Sequence, residues 1–118
     1  MAYLYCALIL GTIGFQIALI LGAPWGRITQ GGQTEGALGR SGRVIAAISI
    51  VILSYMAFAI LSADGKWPNW PIWTGWVAVA LNCVVMILNW ITPSAVERRL
   101  WGPITSAVFI LALIVVLI

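Results

Sequence analysis

Four apolar runs separated by polar breaks organise this chain. No charged residue occurs from Met1 to Gly26, from Val44 to Ala63, from Trp67 to Val96, or from Leu100 to Ile118. Each stretch has room for the ~20 apolar residues that cross a hydrocarbon layer ~30 Å thick. The pattern predicts four membrane-spanning helices, at about 3–21, 44–63, 72–91 and 101–118. The expected fold is all-α: an integral-membrane four-helix bundle, one transmembrane domain over residues 1–118, with nothing left for a soluble domain.

The breaks carry the punctuation. Thr92 and Pro93 end the third run, because proline disfavours a helical residue before it. In "SAVERRLWGP", Ser94 and Glu97 have capping-box spacing. This predicts a short helix over Ser94–Trp101 lying at the cytoplasmic surface, then a turn or kink at Gly102-Pro103 into the fourth span. Glu97 would cap that helix and partly neutralise its neighbours, while Arg98 and Arg99 sit among phosphate headgroups at about 1 kcal/mol each. The first break, "WGRITQGGQTEGALGRSGR", is rich in glycine. Its backbone amides could form an anion-binding concavity near Arg40 and Arg43, but the nucleotide P-loop pattern is absent, and a flexible basic linker is the simpler expectation.

Charge then orients the chain. With four crossings, the first and third breaks share one side of the membrane, and they hold Arg27, Arg40, Arg43, Arg98 and Arg99. The second break holds only Lys66, balanced by Asp64. Short cytoplasmic loops collect Lys and Arg, so the arginine loops are expected inside and both termini outside, in a bacterial cytoplasmic membrane. The same five arginines are the candidate lipid-headgroup contacts, and the bilayer is the expected partner. This clustering speaks against a nucleic-acid footprint. The seven tryptophans follow the same geometry: Trp25, Trp90 and Trp101 near the inner boundary, and Trp67, Trp70, Trp73 and Trp76 near the outer one with Tyr3 and Tyr5.

Composition fits, at 63% hydrophobic and 8% charged, against about 45–50% apolar and about 25% charged in soluble domains. Cys6 and Cys83 fall at different depths and read as packing residues rather than a disulfide. There is no histidine, which removes His ligation of haem or zinc, a Ser-His-Asp triad and a His proton relay. The remaining acids, Glu35, Asp64 and Glu97, lie in breaks on two different sides, so no catalytic pair, metal site or cofactor is implied.

The polar groups inside the runs are the remaining candidates. Thr12, Gln16, Tyr55, Asn82 and Asn89 form either an intramembrane polar site or interhelical glue worth about 0.6–2 kcal/mol per bond. At 100° per residue Ala7, Gly11, Gly14, Ala18 and Gly22 make a small-residue stripe on the first helix, the kind that lets helix backbones approach closely. Tyr5, Thr12 and Gln16 lie on the opposite face. A helix with two such faces is either central in its bundle or meets a second subunit.

In length, span number and helix-packing style the chain is similar to the small multidrug resistance transporters. The resemblance implies a dimer that moves small molecules. In that family a glutamate within the first span carries the proton-coupled exchange; here the comparable polar residue is Gln16, which does not titrate.

The expected function is therefore that of a small non-enzymatic membrane protein, a homo-oligomer that binds or moves a small or lipidic molecule. The alternatives are an accessory subunit packed against a larger membrane complex and, more remotely, an enzyme acting on lipid headgroups through Glu97 and the arginines. The orientation is testable in a background without Cys6 and Cys83. Asn69→Cys and Gln33→Cys should label from opposite sides of intact cells, Asn69→Cys from outside. Same-side labelling would end the four-span reading, and reversed sides would overturn the use of the arginines.

Overall fold

A computed structural model of the chain describes residues 1–32, 34 and 36–118. It is all-helical, with α1 (Ala2–Ile20), α2 (Arg40–Ala63), α3 (Ile72–Ile91) and α4 (Ala95–Leu117). Two short 3-10 turns, Gly26–Ile28 and Gln30–Gly32, lie in the connection between α1 and α2. Each of the four long helices is long and apolar enough to cross a membrane. Their long axis measures 42 Å, against about 40–45 Å for a bilayer with its headgroups. Leu10, Ile48, Val51, Val84 and Ile110 sit in mid-helix and face outward, an apolar exterior of the kind that marks a membrane surface.

Local sequence explains the ends. α1 closes with Gly22 at φ 101°. The Gly22 amide donates to Leu19 and the Ala23 amide to Ala18, a Schellman cap that satisfies carbonyls the helix would leave bare. α2 closes the same way through Gly65 at φ 76°, with Gly65 donating to Ser62 and Lys66 to Leu61. α3 starts after Pro71 and stops at Thr92, whose ψ of 141° is what the following Pro93 demands.

Sequential helices are neighbours. α1 packs on α2 and α3 on α4 most extensively, α2 meets α3, and α1 meets α4 only sparsely. The connections at 21–39 and 92–94 lie at one end of the bundle, joined by contacts between Ser94 and Arg27 and between Trp101 and Ile28. The connection at 64–71 lies at the other end with the N-terminus, where Lys66 sits 4.9 Å over the Tyr3 ring. There the Asp64 carboxylate, paired with Lys66, holds that ammonium above its usual pKa. The arginine-bearing loops therefore share one end, as four alternating helices require.

The tightly packed core fills the half nearer residues 64–71. It contains Tyr5 and Ile9 of α1, Met56 and Ile60 of α2, Ala78 of α3, and Val108 and Ala112 of α4. Tyr5 was expected at an interface, yet it is fully buried. Asn82 Nδ2 donates to its hydroxyl at 2.8 Å and to the Ala78 carbonyl at 2.8 Å. On α2, Tyr55 donates to the Thr74 carbonyl at 3.1 Å and stacks on Trp70.

Two expectations are corrected. The separate surface helix over Ser94–Trp101 does not form, because α4 runs unbroken from Ala95 through Pro103. Proline removes one ladder bond, but contacts on both sides hold this stretch in place. Trp101 Nε1 donates to Ile28 O at 2.9 Å, and the Trp90 ring lies so close to Gly102 that a Cβ there would sit 3.0 Å from it. Gly102 is a packing position rather than a turn. The first-helix stripe is also not a packing face within this chain. Gly11 and Gly14 are exposed, with nothing within 4 Å of where a Cβ would point. Of the remaining stripe residues, Ala18 is half-buried and Gly22 serves the helix cap.

The close approach falls instead at Gly75, where a Cβ would lie 3.2 Å from both Ala63 and Val116. Gly75→Leu should therefore lower thermal stability in detergent by about 1–3 kcal/mol, the usual cost of overpacking. Gly14→Leu should leave the monomer within about 0.5 kcal/mol. A comparable loss in Gly14→Leu would mean that the stripe packs against a second chain.

Candidate functional site

The other half of the bundle, toward the arginine loops, holds a partly open cavity of about 580 Å³. All four long helices supply its walls, the 3-10 turns of the first connection lie at its end, and the exposed Ile52, Leu88 and Ile91 mark where it opens outward. The middle is apolar, with Ile52, Leu53 and Met56 of α2 facing Val85 and Leu88 of α3. Phe15 and Trp101 close one side, edge to face at 4.8 Å, with Trp25 stacked on the far side of Phe15. Polar groups gather toward the loop end: Gln16, Gln30, Asn89, Thr92 and Glu97, with Thr12, Ser49 and Thr105 along the walls.

The expected polar set therefore divides. Asn82 and Tyr55 are helix glue in the packed half, and neither reaches the cavity. Gln16, Asn89 and Thr12 line the cavity together, yet they do not bond one another. Asn89 Nδ2 donates to Val85 O at 2.7 Å, and Thr12 Oγ1 to Leu8 O at 3.0 Å, each within its own helix. The Gln16 amide makes no hydrogen bond among the described residues.

Glu97 is the group that sequence reading placed wrongly. Ser94 Oγ accepts from the Glu97 amide at 3.2 Å, so the forward arm of the capping box forms. The return arm does not: the Ser94 amide donates to Thr92 Oγ1 instead. That frees the Glu97 carboxylate to turn inward, where it is 7% exposed. Its Oε2 accepts from the Gly31 amide at 2.9 Å and from Thr92 Oγ1 at 3.3 Å. One amide of the glycine-rich loop, that of Gly31, meets an anion, and the anion is the chain's own carboxylate, with Arg40 and Arg43 taking no part in the contact. Gly31 has φ 80° and Gly32 φ 68°. At Gly32 a Cβ would lie 2.6 Å from that of Ser94, so only glycine fits against the third connection. Ser94 Oγ donating to Arg27 O at 2.7 Å and Gln30 Nε2 donating to Gly42 O at 2.8 Å complete the clamp.

The candidate headgroup arginines have differing roles. Arg43 donates to Leu38 O at 2.9 Å and Ile20 O at 3.3 Å, tying the end of α1 to the start of α2. Arg98 donates to Thr92 O at 3.0 Å. Arg27, Arg40 and Arg99 are exposed. Glu35, one of the candidate acids, lies outside the described residues, as does Gln33. Among the described residues no three His, Cys, Asp or Glu side chains come together as metal ligands.

The fold and cavity thus define an all-helical chain with four helices of membrane-crossing length around a mixed polar and apolar space. No protein-family model, curated protein or solved structure matches it.

The clamp makes a local prediction. Glu97→Ala leaves the Gly31 amide without its acceptor, at about 1–3 kcal/mol, and should speed hydrogen exchange and proteolysis across residues 26–32. Glu97→Gln keeps an acceptor oxygen and should have the smaller effect. Equal protection in Glu97→Ala and the native chain would show that other contacts hold the loop.

Proposed function

We propose that this is a small integral membrane protein that binds a small or lipidic amphiphile in the cavity between its four helices, without covalent chemistry. The observation that carries this reading is the cavity itself. Its volume falls in the range of about 300–1,000 Å³ typical of small-molecule sites. It joins an apolar middle to a polar end near the loops, which suits a molecule with a tail and a head. Both arginine loops then lie in the cytoplasm, with the cavity's polar end at the inner leaflet and both termini outside. In that frame Trp25, Trp90 and Trp101 sit at one interface and Trp67, Trp70, Trp73 and Trp76 at the other. The exposed Arg40 and Arg99 reach lipid phosphates.

A second reading has one observation behind it. The open face of Ala7, Gly11 and Gly14 suits close packing against a second copy of the chain. It complements binding, since the cavity lies on the opposite side of α1.

The test uses the full chain purified in an uncharged detergent, with 1-dodecanol as probe. Saturating probe at about 100 times its Kd should stabilise the fold by about 2.7 kcal/mol. Ser49→Phe, which pushes a ring into the cavity wall, should abolish that gain while leaving a folded protein. Stabilisation that survives Ser49→Phe unchanged would place binding elsewhere, and none at all in the native chain would remove the reading.

A further inference from the structure

The hydrogen-bond state of the lining residues deepens that reading by naming the head group the cavity takes. The hydroxyl hydrogens of Ser49 and Thr105 are directed to carbonyls of their own helices, at 2.9 Å to Ile45 and 2.6 Å to Trp101. Thr12 does the same, and the Thr92 hydroxyl points at Glu97. Only the oxygen lone pairs of these groups remain open to a ligand. Asn89 and Gln30 each donate to a carbonyl. This fixes which end of each amide is nitrogen and leaves Asn89 Oδ1 and Gln30 Oε1, with one N–H of each amide, without a partner among the described residues. Of Glu97, Oε2 is engaged and Oε1 has no partner among the described residues. Among the described residues no lysine or arginine lines the cavity, and Glu97 is the one charged group that does. Among the described residues, Gln16 and Thr29 are the polar lining side chains with no hydrogen bond of their own.

A site whose charged group among the described residues is a carboxylate rejects an anionic head, which would bring like charge. It favours a head that carries N–H bonds and positive charge, because a charge-assisted bond to a carboxylate is roughly twice as strong as a neutral one. A quaternary ammonium satisfies the charge but offers no hydrogen to the acceptors. We infer that the cavity binds an amphiphile whose head is a primary or secondary amine, its N–H groups donated to Glu97 Oε1 and the neighbouring amide oxygens and its tail lying between α2 and α3. This inference rests on the cavity being a binding site. The same head could belong to a free alkylamine or to the ethanolamine of a lipid.

The experiment compares four probes of equal tail length on the native chain in uncharged detergent at pH 7: dodecylamine, dodecyltrimethylammonium, 1-dodecanol and dodecanoate. Dodecylamine should bind at least about tenfold tighter than the quaternary ion, and dodecanoate weakest of the four. Glu97→Gln should weaken dodecylamine at least about tenfold and leave 1-dodecanol within about threefold, a ratio from which detergent partition cancels. Dodecanoate or the quaternary ion matching dodecylamine on the native chain would overturn the inference, whatever becomes of the variant. So would an unchanged amine-to-alkanol ratio in Glu97→Gln. If all four bind alike and Ser49→Phe blocks them, the site stands and the amine preference falls. If none binds, both fall. Repeating the amine measurement in nanodiscs with and without ethanolamine phospholipid separates the two sources: competition by the lipid identifies a headgroup, and its absence a free amine.

Discussion

The Glu97 carboxylate holds together two halves that otherwise meet weakly on one side. α1 with α2 and α3 with α4 are each well packed, and α2 bridges to α3, but α1 and α4 meet less extensively, through contacts such as Phe15 on Trp101. What closes the ring at the loop end is the first connection folded across onto the third, with the Gly31 amide on Glu97 as its centre. Trp101 on Ile28 and Ser94 on Arg27 flank that contact. A carboxylate shielded to 7% exposure must be hydrogen-bonded to be tolerated. Removing the loop would therefore uncover a charge as well as a cavity, and this makes the closed arrangement self-reinforcing.

The four helices were legible because hydrophobicity and charge gaps act over some twenty residues, and the bilayer demands that length whatever the tertiary packing. α3 emerges with the expected ends, since Pro71 and Pro93 punctuate it chemically. α2 starts a turn earlier than its charge-free run, taking Arg40 and Arg43 into its first turn. α4 was misread because Gly102-Pro103 is a strong local breaker. The contacts that override it, Trp90 on Gly102 and Trp101 on residue 28, are tertiary and leave no local trace.

The site was legible in part of its membership and not in its connections. Gln16, Thr12 and Asn89 were identified because polar residues in apolar runs are costly, and they do share a cavity. That Asn82 would choose Tyr5 over Gln16 depends on how α1 and α3 are set in depth, which residue spacing alone leaves open. Glu97 carried a usable signal that a capping-box reading hides. A carboxylate on the same side as a glycine-rich loop is a natural occupant of that loop's amide nest. The small-residue stripe left two readings open, a central helix or a second subunit, and the exposure of Gly11 and Gly14 speaks against the first. Size permits close approach without requiring it, and within the chain neighbours press instead against glycines such as Gly32, Gly75 and Gly102.

Access decides how the cavity should be regarded. Ile52, Leu88 and Ile91 line it and are exposed, so the volume of about 580 Å³ is a cleft adjoining the surroundings of the bundle rather than a sealed void. Water suits the loop end, where Asn89, Gln30 and Glu97 are polar. It does not suit the stretch between Ile52, Leu53, Met56, Val85 and Leu88, which offers no partner. On the proposed reading the occupant is apolar along α2 and α3 and polar against the first connection. Where lipid tails adjoin the outer faces of the same helices, an acyl chain is the apolar material at hand. The carboxylate and the idle oxygens beside it decide which head such a chain carries in.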